Sequence, residues 1–248
     1  TAVRRGIQDA LEAAATGPTI DWTLAVEGGL AVLRFVIDIP DDAATPDEQA
    51  LDAAVKAMVR GWPGAVEAAL IAHEEPRRAA AIAARYAEAF PLSYRSAHGP
   101  TEAATDIACL RRLDAEQARG ARLHVPVPGA GGAGADSGRL HLKLYQQHGA
   151  LELSDAVPML ENFGFRVAGE DATLLEGGAL GAIHDFALEL PDGVAAADLF
   201  ARAEQIDAAI AAVLNGAAED DAFNRLIMTT GLAAHEANWL RAWYRYLR

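Results

Sequence analysis

Apolar positions recur at every third or fourth residue over Val3–Ala15, where Val3, Ile7, Ala10 and Leu11 share one helical face, and Gly17-Pro18 closes the stretch. The period then falls to two. Ile20–Val26 and Leu30–Ile39 read as strands around Glu27-Gly28-Gly29, a hairpin signal, and Pro40-Asp41-Asp42 ends the second. Thr45 as N-cap, Pro46 at the first helical position and Glu48 at the capping-box position then start a helix with Leu51, Val55, Met58 and Val59 on its apolar face. Helix, strand, strand, helix is the latter part of a small split αβ unit, whose first strand is expected before Thr1.

From Trp62 to Gly120 no alternation appears. Helices are expected at Pro63–His73, Pro76–Ala89 and Pro100–Arg119, each beginning near a proline. Pro126–Gly138 has the composition of a flexible loop. Beyond it the pattern predicts a strand over 139–147, a helix over 154–163, a strand over 165–175, a turn at Glu176-Gly177-Gly178, a strand over Ile183–Leu190 and a helix over Ala195–Leu214. This is a ferredoxin-like split βαβ order with its final strand missing or weak. Its first helix is the most legible element. Ser154 is placed as N-cap, Asp155 meets the positive helix end, and Pro158 sits in the first turn. Val157, Leu160 and Phe163, with Met159, form the apolar stripe; Gly164 is the left-handed stop and Phe165 the closing hydrophobic contact. Asn215-Gly216 and the acidic Glu219-Asp220-Asp221 then introduce a helical stretch over Ala222–Arg248, interrupted at Gly231. The expected fold class is α+β, with split βαβ units joined by a helical connector and followed by a helical C-terminal segment. The expected boundaries are 1–60, 61–120, 121–215 and 216–248.

Composition narrows the function. No run approaches the ~18 apolar residues of a membrane span. The net charge of −14 argues against nucleic acid and against anionic membrane surfaces. Cys109 is the single cysteine, which rules out a disulfide framework and fits a reducing cytosol, and as a lone thiol on a helix it reads as core. Trp243-Tyr244-Arg245-Tyr246-Leu247-Arg248 stops in mid-helix and Thr1 replaces an initiator, so the chain is expected to be a piece of a longer one.

The candidate chemical motifs are weak. Gly129-Ala130-Gly131-Gly132-Ala133-Gly134 spells a dinucleotide fingerprint, but a strand rather than a helix N-terminus follows, so it reads as linker. His235-Glu236 begins like a zinc-protease helix, yet Trp239 occupies the place of the second histidine. His73, His98, His124, His141, His148 and His184 lack ligand spacing; His141 and His184 fall on strands expected to be neighbours, without further ligands, so no metal site is expected. Glu219-Asp220-Asp221 lacks the alternation of a calcium loop, and Ser154-Asp155 has no partner histidine. Tyr86, Phe90, Tyr94, Trp239, Trp243, Tyr244 and Tyr246 recur at helical spacing and read as core or interface, with the terminal helix as interface. No catalytic constellation emerges from these residues.

Four segments together resemble one family. They are Phe90-Pro91-Leu92-Ser93-Tyr94-Arg95 with Ala104-Thr105-Asp106-Ile107; Leu142-Lys143-Leu144-Tyr145; Leu153 to Val167, which looks like "LSDxLPxLENxGxxV"; and Asp220 to Leu226 with Gly231-Leu232 and Leu240 to Arg248. Their order and spacing resemble the large bacterial NAD-specific glutamate dehydrogenases over roughly Arg85–Arg248; residues 1–80 match only in pattern, and Ala234-His235-Glu236 stands where family members usually show Trp-Arg-Glu. The resemblance implies a parent enzyme that oxidises glutamate to 2-oxoglutarate and ammonia with NAD. It places this piece upstream of the catalytic domain, among ACT-like regulatory modules and helical motifs, with no catalytic, cofactor or metal residue of its own. Of the only two lysines, Lys56 falls on a helix and Lys143 on a strand, neither beside a glycine-rich pocket. By analogy with ACT-like units, Gly149–Asp155 and Asn162–Phe165 would line a small-amino-acid site, which makes Ser154, Asp155, Asn162 and Gly164 effector candidates. Trp239, Trp243 and Tyr246 are the interface candidates. The implied partners are the downstream catalytic domain, other subunits of a homo-oligomer and an amino-acid effector, in the cytoplasm. A structural oligomerisation module without an effector is the alternative.

Overall fold

The computed structural model describes residues 2–27, 30–40, 46–125, 140–190 and 193–248. Contacts divide the chain into two compact units, 1–68 and 69–248. In the first, α1 (Ala2–Ala15) precedes an antiparallel hairpin of β1 (Thr19–Glu27) and β2 (Leu30–Ile37), in which Trp22 faces Phe35. Glu12 ties helix to hairpin by accepting the Thr19 amide at 3.0 Å, and Arg4 stacks its guanidinium on the Trp22 ring at 4.4 Å. The expected hairpin glycines, Gly28 and Gly29, and the expected cap Thr45 lie outside the described residues. The helix α2 (Glu48–Leu70) starts after Pro46 and is capped by Asp47, whose Oδ1 accepts the Gln49 and Ala50 amides at 2.9 and 3.1 Å. Gly61 and Pro63 kink it.

The second unit opens with α3 (Pro76–Tyr86), α4 (Leu92–Ala97) and α5 (Pro100–Arg112); α3 and α5 start at the expected prolines, whereas α4, entered at Pro91, is a helix that the sequence pattern does not predict. The helix expected to run to Arg119 stops at Arg112. Leu113 is extended, and the Asp114 carboxylate accepts the Glu116 and Gln117 amides at 2.9 and 2.7 Å, a turn that redirects the chain into a strand. That strand, β3 (Arg119–His124), pairs antiparallel with β4 (Leu140–Gln146). Then follow α6 (Leu153–Asn162), β5 (Arg166–Leu174), β6 (Ala182–Glu189), α7 (Ala196–Phe200), α8 (Ala203–Leu214), α9 (Arg225–Thr230) and α10 (Ala234–Leu247).

The sheet order is β3-β4-β6-β5, with every neighbouring pair antiparallel. β4 and β5 therefore run parallel, joined over one face by α6, with β6 between them: the expected split βαβ. The strand thought missing is supplied by β3, from ahead of the unit in sequence. The fold is α+β and ferredoxin-like. Leu123, Leu140, Leu142, Leu144, Phe186 and Leu188 point to one face, where Leu160 of α6, Phe163 at its C-cap and Ile206 and Ile210 of α8 bury them. The single helix expected over 195–214 breaks at Arg202, whose guanidinium instead donates to the Ile227 and Met228 carbonyls at the end of α9, at 2.8 and 3.1 Å.

The ends of α6 split the expectations. Glu152, not Ser154, is its N-cap residue, and no side chain caps it; Ser154 is exposed inside the first turn, and Pro158 falls in the second. The stop is as expected. Gly164 has φ +92°, its amide reaches Glu161 O at 2.8 Å and the Phe165 amide reaches Leu160 O at 3.1 Å, with Phe165 buried. Gly164→Val is expected to destabilise by about 1–2 kcal/mol, because a β-branched residue resists left-handed backbone. Thermal unfolding checks it, and an unchanged melting temperature would contradict this helix stop.

Candidate functional site

Alternation along the strands sends a second set of side chains to the face opposite α6 and α8. Arg122 and His124 of β3, His141, Lys143 and Tyr145 of β4 and Asp185 of β6 point there, toward Tyr94 of α4 and Glu102 and Asp106 of α5. Asp106 is fully buried and accepts four hydrogen bonds. Its Oδ2 takes the Tyr94 hydroxyl at 2.5 Å and Lys143 Nζ at 2.7 Å; its Oδ1 takes the Tyr145 hydroxyl at 2.7 Å and Arg122 Nη2 at 3.1 Å. Lys143, equally buried, gives a second bond to Glu102 Oε1 at 2.6 Å, and Arg122 pairs with Glu102 and donates through Nε to the Tyr145 hydroxyl at 2.9 Å. Two cations meet two carboxylates, so burial is tolerated. Gly181, at φ +113°, lets α5 approach: a Cβ there would stand 2.7 Å from Leu110 Cδ2.

Electrostatics follow the geometry. Burial, then Asp106, pushes the Tyr94 phenol far up, and burial ahead of Asp106 does the same to Tyr145. Burial alone would raise the Glu102 carboxyl, but Lys143 and Arg122 outweigh it and hold it at about 2. Cys109, half-buried on α5, has its thiol raised by burial, the opposite of an activated nucleophile. Each polar group is consumed by the network, so its chemistry is that of a joint between α4–α5 and the sheet. Lys143 has no free face, and Lys56 pairs with Asp52 one turn away on α2, both side chains exposed.

A second buried cation organises the C-terminal helices. Arg241 donates Nε and Nη2 to the two Asp221 oxygens at 2.7 Å each, and Nη2 to Asn224 Oδ1 at 3.0 Å. Asp221 also caps the Phe223 amide at 3.0 Å, which is the acidic helix start expected from the sequence.

The effector candidates do not converge. Ser154 and Asp155 are exposed at the start of α6, whereas Asn162 and Gly164 lie ~12 Å away at its other end. The Asn162 amide is engaged with Asp220 at 3.0 Å. Trp239, Trp243 and Tyr246 do share a face of α10, at 63%, 62% and 83% exposure. The glycine motif at 129–134 lies outside the described residues. His235 is an exposed α10 side chain against the Trp239 ring at 5.2 Å.

Two groupings depend on β3, a strand that the sequence pattern does not predict. His124 and His141 are cross-strand partners, and both contact Asp185 Oδ1, His124 through Nε2 at 3.1 Å and His141 through Nδ1 at 3.0 Å. On the opposite face Asp207 of α8 accepts the Leu123 amide at 2.9 Å; burial raises its carboxyl to about 6, against the opposing pull of that amide and Arg122. The folded state thus binds the proton more tightly than the unfolded chain, so stability falls as pH rises from 3.8 to about 6 and stays reduced above. Asp207→Asn keeps an oxygen for Leu123 and is expected to raise stability by about 1–3 kcal/mol above pH ~7. Melting curves of the two proteins across pH should converge near pH ~4; a variant that melts lower at neutral pH contradicts this.

The chain matches three models of one family: "Glutamate dehydrogenase, helical motif 2" over residues 69–113, "Glutamate dehydrogenase, ACT3 domain" over 122–202 and "Glutamate dehydrogenase, helical motif 3" over 218–248. The chain belongs to the glutamate dehydrogenase family. It is 30% identical over 230 residues to the NAD-specific glutamate dehydrogenase of Pseudomonas aeruginosa, covering 92% of this chain and 14% of that protein. The Halomonas elongata enzyme of the same name is 30% identical over 228 residues (91% of this chain, 14% of that one), and the Mycobacterium tuberculosis one 26% over 268 residues (100% and 16%). The chain thus spans about one seventh of the length of the first two relatives. In the family's terms the Asp106–Lys143 network joins helical motif 2 to the ACT3 sheet, the Asn162–Asp220 bond joins ACT3 to helical motif 3, and the Arg241 cluster lies within motif 3. Among the described residues no helix is long and apolar enough to cross a membrane.

Proposed function

We propose that this chain is a regulatory and assembly region of an NAD-dependent glutamate dehydrogenase and supplies no catalytic group itself. The parent would carry out cytoplasmic oxidative deamination of L-glutamate to 2-oxoglutarate and ammonia, with NAD held elsewhere. One observation supports the reading above others: both faces of the ACT3 sheet are occupied, one by α6 and α8 and the other by helical motif 2, whose ionic joint seals Lys143. A buried ammonium held by two carboxylates cannot act as the base that glutamate oxidation requires. Such an element transmits position rather than performing chemistry.

Two ways of acting divide on experiment. An amino-acid effector would bind beside Ser154 and Asp155, where the loop after β4 enters α6. That loop is held in place by His184: its Nε2 accepts the Leu151 amide at 3.1 Å, which assigns the proton on Nδ1 to Glu170 Oε1 at 2.7 Å. Calorimetry with arginine, aspartate and glutamate tests this; heat from one of them, abolished in Ser154→Trp, is the expected result, and no heat from any removes sensing. The purely assembling role is favoured by the exposed Trp239, Trp243 and Tyr246 face, which would meet the downstream catalytic domain or another subunit. Sedimentation of the wild type against Trp239→Ser/Trp243→Ser reads it: self-association that disappears in the variant supports a subunit contact, and identical behaviour removes it.

A further inference from the structure

We propose that His124, His141 and Asp185 form a transition-metal site, suited to zinc, that clips β3, β4 and β6 together. Their ligand atoms lie within 4.8 Å of one another. The two nitrogen-to-oxygen separations, 3.1 and 3.0 Å, are near the ~3.3 Å that neighbouring ligands keep around a tetrahedral ion bound at 2.0–2.1 Å. The three residues sit on three adjacent strands with sheet-fixed backbones, so the triad is preorganised. His124 presents Nε2 to the site, and its Nδ1 faces Glu102 Oε1 from 4.0 Å, beyond hydrogen-bond range. Two imidazoles and one carboxylate select zinc and its neighbours over magnesium or calcium.

Charge counting points the same way. Among the described residues, this side of the sheet sets Asp106, Glu102 and Asp185 against Lys143 and Arg122, with Asp106 and Lys143 fully buried and the others partly so: three carboxylates against two permanent cations. Lys143 and Arg122 are committed to Asp106 and Glu102, leaving Asp185 to the histidine pair. A further carboxylate, Asp171, is the exposed cross-strand partner of Asp185 on β5. His141 and Asp185 keep 13% and 11% of their side chains exposed, an opening through which an ion can enter and a water can complete its coordination.

The test is calorimetric titration of the chelator-treated chain with zinc chloride, with magnesium chloride as control. One zinc per chain and no magnesium heat are expected. His124→Gln/His141→Gln should weaken zinc binding at least about 100-fold, taking a tenfold minimum per ligand, while His148→Gln/His235→Gln, at exposed histidines, leaves it unchanged. Since the first variant alters a buried sheet, X-ray absorption of the zinc-loaded wild type gives an independent reading: two imidazole nitrogens and a carboxylate oxygen support the site. Zinc binding that survives the first variant, a shell containing sulfur or only oxygen, or no zinc binding at all would overturn it.

Discussion

Lys143→Met is expected to destabilise the protein by about 3–5 kcal/mol, because it strands the fully buried Asp106 carboxylate without its closest cation. For a unit of this size that is a fall of roughly 10 °C in melting temperature. The asymmetry between breaking and replacing a buried pair makes the prediction sharper. Asp106→Leu/Lys143→Met removes both charges, leaves Arg122 paired with Glu102, and should cost less than the sum of the two single changes by about 1–3 kcal/mol. Urea unfolding of the four proteins completes the cycle. A Lys143→Met protein within about 1 kcal/mol of wild type would mean that the ammonium is hydrated rather than enclosed.

Arg241→Ala is expected to release α10, at a cost of about 2–4 kcal/mol. Arg241 is buried and holds Asp221 with two parallel bonds and Asn224 with a third; the Asp221 side chain is a third exposed, so the orphaned carboxylate recovers some hydration and the loss stays below that at Lys143. Arg241→Lys should rescue little, since a single ammonium cannot reproduce the two-pronged geometry. Amide hydrogen exchange over residues 234–247 reads the local opening directly, and exchange as slow as in the wild type would contradict the role assigned to this arginine.

Both joints gather residues that lie far apart in the sequence. Tyr94 and Asp106 are 12 positions apart and Asp106 and Lys143 are 37 apart, yet their side chains share one carboxylate. Asp221, Asn224 and Arg241 meet in the same manner. Each residue alone has an ordinary reading as helix or strand surface. Only the sum of their contacts identifies the joint.

What the sequence determined by itself is what depends on neighbours within a turn or a pleat. The stop at Gly164, the proline-marked starts of α3 and α5, the hairpin of β1 and β2 and the β4-α6-β5-β6 order were legible because period, backbone freedom and missing amides are local properties. The N-cap at Glu152 stands two residues before Ser154, the cap that the pattern predicts, within the one or two residues by which helix ends vary. The tertiary structure decided the rest. Arg119-Gly120-Ala121-Arg122-Leu123-His124 follows a helix-favouring stretch and carries one large apolar residue, so nothing local marks it as a strand; pairing with β4, the Asp207 bond and the buried charges on its other face make it one. With β3 in place, Arg122 completes the ionic joint and His124 meets His141 and Asp185. Buried charges obey long-range electrostatic balance, and balance is set by which strands lie side by side, a property no short window of sequence contains.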